Sequence, residues 1–326
     1  MEKFQELFDS FLNYSVLIIG DVMVDAYLWG KVERISPEAP VPIVSVEKCE
    51  NRLGGAANVA LNIKALGAKP ILCSIIGDDE NGRIFLDLLE DQGMPNLGII
   101  CDKDRKTTTK TRVISGNQHC LRIDDEITSS VTEKQEETIV QQIDTIINEQ
   151  KINAIIFEDY DKGVISPNII KAIVSIAAKK QIPISVDPKK RNFIDYKGVT
   201  LFKPNFKELC EGLNVEIKKN DFLAIHQNIS KFRHDMSIRH LMVTLSELGM
   251  IITDGDSFYQ VPTHIREVAD VSGAGDTVIS VATLCLIAGL DATEIARISN
   301  IAGGLVCEHA GVVPVDKFKL LQEISR

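Results

Sequence analysis

Short, predominantly apolar runs alternate with stretches of helical period along most of this 326-residue chain. The run Val16-Leu17-Ile18-Ile19 ends at Gly20-Asp21, and similar runs stand at 71–76, 154–157, 184–186, 201–202 and 241–244. A strand with one face in water would alternate apolar and polar residues; these do not, so both faces need covering. Helical patterns at 56–66, 84–92, 133–148, 167–179 and 206–212 separate the runs, and two more follow at 274–288 and 292–309. This order predicts an α/β fold: a mainly parallel sheet flanked by helices on both faces.

Two stretches break the rhythm. Residues 22–46 and 106–124 alternate polar and apolar positions without helical period, and the first carries Pro37, Pro40 and Pro42. They are expected to be extended strands paired outside the main sheet, a small β lid inserted into a single domain spanning 1–326. Two long surface loops are the plain alternative, although loops of that length in compact domains are usually functional.

Composition excludes several classes of partner. Lys and Arg number 36 against 46 Asp and Glu, a formal charge of −10, which disfavours nucleic acid. An anionic substrate then needs local basic residues, for which Lys110, Arg112, Lys162, Lys189, Lys190 and Arg191 are candidates. The seven cysteines are scattered without a C-x-x-C pair, as in a reduced, cytoplasmic protein. No uncharged apolar run approaches the ~20 residues that span a bilayer, so no membrane association is expected. The six histidines are dispersed without ligand spacing, which argues against zinc.

Chemistry is most legible in Asp270-Val271-Ser272-Gly273-Ala274-Gly275-Asp276. A glycine-rich turn here opens a helix of small apolar residues. Such a turn lets backbone N–H groups face one concavity, and the helix start adds positive partial charge. Gly273, Ala274 and Gly275 are therefore candidates to hold the oxygens of a transferring phosphoryl group. Asp276, in the first helical turn, is the candidate base for a hydroxyl proton. An ordinary helix entry with Asp276 as a capping residue is the alternative. G-x-x-x-x-G-K-[ST], H-R-D and D-F-G motifs are absent, so neither a P-loop nor a protein-kinase site is available.

This string matches D-[TV]-x-G-A-G-D, the late signature of the ribokinase-like (phosphofructokinase B) sugar kinases, and the chain resembles that family from about residue 16 to residue 315. The family's early signature, a double glycine followed by a small residue and Asn, matches Gly54-Gly55-Ala56-Ala57-Asn58-Val59-Ala60. The resemblance implies ATP-dependent phosphoryl transfer to a sugar, with Asp276 as catalytic base. It implies sugar contacts from Gly54, Gly55 and Asn58, and from a carboxylate after the first strand, Asp21 or Asp25. Asn205-Phe206-Lys207-Glu208 matches the N-x-x-E motif, implying contacts with Mg²⁺–ATP in which Glu208 organises metal-bound water. A helix start capped by Asn205 accounts for the same residues. Ser246 and Gly249 fit the nucleotide strand and its turn, where many members have Gly at or beside the position of Glu247. Asn300 and Gly303 are implied lining for the adenine, though small residues at this spacing also serve close packing. ATP with Mg²⁺ is the implied cofactor; some members also bind a monovalent cation such as K⁺ beside the late turn, which the sequence leaves open.

The lid string Ile35-Ser36-Pro37-Glu38-Ala39-Pro40-Val41-Pro42 is similar to that of heptose-7-phosphate kinases, the kinase half of ADP-heptose synthases. Lys110-Thr111-Arg112-Val113, Asn117-Gln118, Leu121-Arg122-Ile123-Asp124, Asp159-Tyr160-Asp161-Lys162-Gly163 and Asp187-Pro188-Lys189 fit that subgroup too, while Glu158 stands where a small Ser is common. This implies D-glycero-D-manno-heptose 7-phosphate as acceptor and the 1,7-bisphosphate as product, on the route to the lipopolysaccharide core. Lys110, Arg112, Lys162 and Lys189 would then meet the existing phosphate. The alternatives are another sugar or sugar phosphate, and a non-catalytic sensor of sugar and nucleotide. The resemblance also implies a homodimer through the lid. The chain reaches Arg326 without a G-x-F-D-x-x-H segment, so a stand-alone kinase is expected.

Overall fold

The computed structural model describes residues 2–116, 118–255, 257–263 and 267–325; Asn117 of the subgroup resemblance lies outside them. The strands are β1 (Ser15–Gly20), β2 (Val22–Ile35), β3 (Pro42–Gly55), β4 (Lys69–Gly77), β5 (Gly98–Asp102), β6 (Thr109–Ser115), β7 (Gln118–Asp125), β8 (Ala154–Glu158), β9 (Ile184–Asp187), β10 (Leu201–Phe202), β11 (His240–Thr244), β12 (Met250–Asp254) and β13 (Ser257–Val261). The helices are α1 (Glu2–Ser10), α2 (Ala56–Ala65), α3 (Glu80–Asp91), α4 (Glu133–Glu149), α5 (Pro167–Lys180), α6 (Phe206–Leu213), α7 (Phe222–Asp235), α8 (Ala274–Ile287), α9 (Ala292–Cys307) and α10 (Lys317–Ile324).

Nine strands form one sheet in the order β13-β12-β11-β10-β9-β8-β1-β4-β5, parallel except at β12 and β13. The apolar runs are its central strands, and β1 shows why they do not alternate. Val16 and Ile18 enter a core with Ala57, Val59, Ile279 and Ala282 from α2 and α8. Leu17 and Ile19 enter the opposite core with Ile139, Ile143, Ile169 and Ile173 from α4 and α5. Each such side chain contributes about 1.5–3 kcal/mol on burial, whichever face it occupies.

A second, four-stranded sheet has the order β3-β2-β6-β7, with β2 and β6 parallel and the outer pairs antiparallel. Strands therefore replace the alternative of two surface loops. The first lid stretch runs further than 46: the β2–β3 ladder continues until Val22 pairs with Gly55. The glycine pair is thus the end of a strand that leads directly into α2.

β1 pairs with β4 on one side and β8 on the other. At such a switch in strand order, the chain leaves the carboxyl ends of neighbouring strands in opposite directions and opens a crevice. The ends of β1, β8, β9 and β10 face it. Among the described residues no helix is long and apolar enough to cross a membrane.

Candidate active site

Asp276 lies in the first turn of α8 and is 4% exposed. The turn before it requires glycine. Gly273 has φ 78°, and a Cβ there would stand 2.7 Å from Val312 Cγ1. The Tyr160 hydroxyl donates to Asp276 Oδ1 at 2.8 Å. Asn58 is near enough to act on the same carboxylate, yet Oδ2 has no hydrogen-bond partner of normal geometry. Burial, the largest influence, pushes the carboxyl up to about 6, against the opposing hydrogen bond from Tyr160. Such a group is ionised near neutral pH and still basic enough to accept a proton.

Buried polar contacts bring the early and late glycine motifs together. Thr277 on α8 donates to Asn62 Oδ1 on α2 at 3.1 Å, and Val315 N–H donates to the same oxygen at 2.9 Å. Asn62 Nδ2 donates to the Asn58 carbonyl at 2.9 Å. Asn62 thereby fixes the start of α2 against α8, a role the sequence reading did not give it. Gly54 and Gly55 are held just as tightly. A Cβ on Gly54 would lie 2.4 Å from Asp25 Oδ2, and one on Gly55 (φ 62°) would lie 2.3 Å from the Asp21 carbonyl oxygen.

The two carboxylates after β1 differ in what they touch. Asp21 is buried and accepts from the N–H groups of Tyr160, Lys162 and Val164 at 3.0, 3.1 and 2.9 Å. It anchors the loop that carries Tyr160 to Asp276. Asp25 stands beside Gly54, where its Oδ1 pairs with Arg112 at 2.5 Å.

Three further charged residues occupy the crevice. Glu158 and Asp187 are register partners at the ends of β8 and β9, and one carboxylate oxygen of each lies within 4.8 Å of one from Asp276. Lys203, after β10, is 2% exposed and pairs with Asp187 at 2.7 Å. Burial opposes its charge, but Asp187 and Glu208 outweigh that and hold the ammonium above its usual range. A Cβ on Gly275 would lie 3.5 Å from Asp187 Oδ2 and 3.7 Å from Lys203 Nζ, so the glycine turn faces this ion pair. Tyr160, Asp187 and Lys203 were absent from the candidate residues. The available signal was positional: Glu158, Asp187 and Lys203 are each the first charged residue after a short, predominantly apolar run.

The four expected phosphate-binding cations all have acidic partners. Lys110 pairs with Asp124 and Glu126 at 3.1 and 3.0 Å, and Lys162 meets the same Glu126 at 2.7 Å. Arg112 is held by Asp25, and Lys189 by Glu208. Asn205 and Glu208 form a reciprocal cap: Asn205 Oδ1 accepts from Glu208 N–H at 2.9 Å, and Glu208 Oε2 accepts from Asn205 N–H at 2.8 Å. Both readings of the N-x-x-E motif therefore remain compatible. Phe206 packs partly into the core, while Lys207 is exposed. Ser246 has φ 51°, and a Cβ on Gly249 (φ 84°) would sit 2.0 Å from the Val261 carbonyl oxygen. Asn300 donates to the Pro262 carbonyl at 2.8 Å. Gly303 admits Val278, whose Cγ2 would stand 2.8 Å from a Cβ, a close contact between α8 and α9.

A family profile described as pfkB family carbohydrate kinase matches residues 13–317. The chain belongs to the pfkB family of carbohydrate kinases. As a pfkB kinase it is a sugar kinase. It is 38% identical over 312 residues to the bifunctional protein HldE of Geobacter sulfurreducens, covering 95% of this chain and 63% of that protein. It is also 38% identical over 305 residues to the bifunctional protein HldE of Wolinella succinogenes, covering 94% and 63%. The pfkB chain thus spans somewhat less than two thirds of the curated relatives it matches. Among solved structures, phosphofructokinase-2 from Escherichia coli in complex with potassium superposes with a TM-score of 0.77 at 19% identity, covering 96% of this chain and 99% of that one. Arabidopsis thaliana ribokinase complexed with ribose and ATP gives a TM-score of 0.69 at 18% identity, covering 95% and 98%. These two likenesses establish the ribokinase-like fold.

Proposed function

We propose that this pfkB kinase transfers the γ-phosphoryl group of ATP to the anomeric hydroxyl of D-glycero-D-manno-heptose 7-phosphate, giving the 1,7-bisphosphate. The observation that carries the chemistry is the buried Asp276 carboxylate at the glycine-rich start of α8, with Oδ2 unpartnered. In the reaction the anomeric oxygen forms a bond to the γ-phosphorus, and the bond from that phosphorus to the ADP oxygen breaks. The hydroxyl proton passes to Asp276 Oδ2. Tyr160 holds Oδ1 and so aims the carboxylate. The Gly275 and Asp276 N–H groups at the start of α8, where a helix offers its amides no acceptor, stabilise the phosphoryl charge. Gly54, Asp25 and Asn58 line the sugar side.

Mg²⁺ supplies charge neutralisation on the ATP phosphates when bound. Glu208 suits its water shell: it is largely buried, and its oxygens retain lone pairs beyond the cap and the Lys189 contact. The lid string 35–42 supports the heptose, as do curated relatives that share the name bifunctional protein HldE. A second acceptor class is favoured by one observation: Lys110, Lys162 and Arg112 are already neutralised by acids, which suits a free sugar better than a sugar phosphate. An ADP-release assay across heptose 7-phosphate, other sugar phosphates and free sugars tests this. Lack of preference for heptose 7-phosphate overturns the substrate assignment.

The same reading includes a cytoplasmic homodimer joined through the smaller sheet. Val32, Ile35, Val41, Val46, Leu121 and Ile123 are exposed there, and exposed strands of this kind invite pairing between copies. A monomeric mass in solution contradicts it.

A further inference from the structure

Glu126, the residue after β7, ties the lid to the loop after β8. Its Oε1 meets Lys162 at 2.7 Å and its Oε2 meets Lys110 at 3.0 Å. Among the described residues these two ammoniums are the side chain's hydrogen-bond partners. Burial, the largest influence, opposes its charge, yet hydrogen bonds from Lys162 and then Lys110 hold the carboxyl below its ordinary range. Both lysines border the proposed acceptor side of the crevice. Lys110 is the register partner of Asp25, whose Oδ2 stands against Gly54. The Lys162 N–H donates to Asp21, which also holds the Tyr160 N–H, and Tyr160 reaches Asp276. Asp124, the other acid at Lys110, also takes Arg122 Nε and Nη2 at 2.9 and 3.0 Å. Lys110, Lys162 and Arg122 thus face Asp124 and Glu126, and one positive charge is left over.

We propose that Glu126 is a specificity-determining residue that holds the place of the acceptor's phosphate: its carboxylate sits between Lys110 and Lys162 in the free protein and swings out when a phosphate monoester arrives. This rests on the reading of the acceptor as a sugar phosphate. A carboxylate offers two ammoniums one negative charge and two oxygens. A phosphate monoester offers nearly two charges and three free oxygens, so the exchange leaves the cluster close to neutral. The neutralised lysines favour a free sugar only while Glu126 stays in place. An acceptor without phosphate finds the ammoniums occupied; one with phosphate displaces the weaker ligand. The backbone can stay still during the exchange. Arg105 donates to the Ser129 and Lys162 carbonyls at 3.0 Å, Arg191 to the Thr128 carbonyl at 3.0 Å, and Val131 N–H to the Gly163 carbonyl at 2.9 Å. These contacts pin the segment after Glu126 to the post-β8 loop without using its side chain.

Inorganic phosphate is titrated by calorimetry into the full chain without sugar or nucleotide, so this proposal and the heptose assignment fail separately. Glu126→Gln should bind phosphate at least ~10-fold more tightly than wild type, because two ion pairs no longer have to be broken. Glu126→Ala should show the same gain, which makes the result independent of how the glutamine amide settles. Adding Lys162→Met or Lys110→Met to Glu126→Gln should abolish the gain, separating this site from phosphate held at the start of α8. Thermal unfolding of each variant should remain cooperative. A Glu126 that merely supports the two lysines predicts the opposite sign, looser lysines and weaker phosphate binding. Phosphate affinity in both single variants within twofold of wild type or weaker, including no binding in any of them, overturns the proposal. A gain that survives both lysine substitutions overturns it as well.

Discussion

Tyr160 and Asp276 are 116 residues apart in sequence, and the tyrosine hydroxyl donates to the aspartate Oδ1 at 2.8 Å. The contact exists because Asp21 gathers the Tyr160, Lys162 and Val164 N–H groups and folds the post-β8 loop over the crevice. On the proposed mechanism, Tyr160 is therefore a positioning residue for the base. Hydrogen bonds to charged groups are worth about 1.5–3 kcal/mol, so Tyr160→Phe should lower kcat at least ~10-fold. Both KM values should move less than about twofold if the phenol acts on the base alone. Steady-state kinetics check this, and a kcat within twofold of wild type counts against the role.

Gly54 tolerates no side chain, because its Cβ would fall 2.4 Å from Asp25 Oδ2. Gly54→Ala should displace Asp25 from Arg112 and disturb the proposed sugar side of the crevice. The expected outcome is a KM for the acceptor raised ~10-fold or more, with the KM for ATP changed much less. Equal increases in both would place Gly54 outside the acceptor site.

Lys203 is buried against Asp187, and removing one partner of such a pair strands the other. Lys203→Met should cost about 3–5 kcal/mol of stability, read as a lower urea midpoint. Adding Asp187→Asn should recover part of that loss. A single variant as stable as wild type would mean that the ammonium is not the counter-charge.

Asp21 has a folded pKa of about 6, raised chiefly by burial and then by Asp159, against an ordinary 3.8. A raised carboxyl pKa means that the folded state holds the proton more tightly than the unfolded chain. Its contribution is therefore largest below pH 3.8 and is lost as pH rises to about 6. The change is on the order of 3 kcal/mol. Asp21→Asn removes this dependence, so the stability advantage of wild type over the variant should shrink from pH 4 to pH 6.5. Urea unfolding at both values measures it; an advantage that grows with pH contradicts the assignment.

The central strands were legible in sequence because burial on both faces forces continuous apolar runs, as in Val16 to Ile19. α7 was harder to see: only Ile225, Ile229 and Phe232 are buried along its length, among many polar residues. β13 was missed because it lies at the sheet edge, where Ser257, Tyr259 and Gln260 face solvent. Asp276 stood out because its glycine turn is contiguous. The residues around it did not, since Tyr160, Asp187 and Lys203 are joined by the sheet order and not by chain order. The four basic residues were legible as positions, but their partners were not: Glu126 reaches both Lys110 and Lys162 only once β6 and the loop after β8 converge.

Asp276 as the base is most directly tested by ADP release from Mg²⁺–ATP and heptose 7-phosphate in wild type and Asp276→Asn. General-base catalysis is worth about 10²–10⁴-fold. The account predicts a kcat loss in that range, with thermal unfolding and ATP binding retained. Near-normal turnover by a folded Asp276→Asn protein would contradict it.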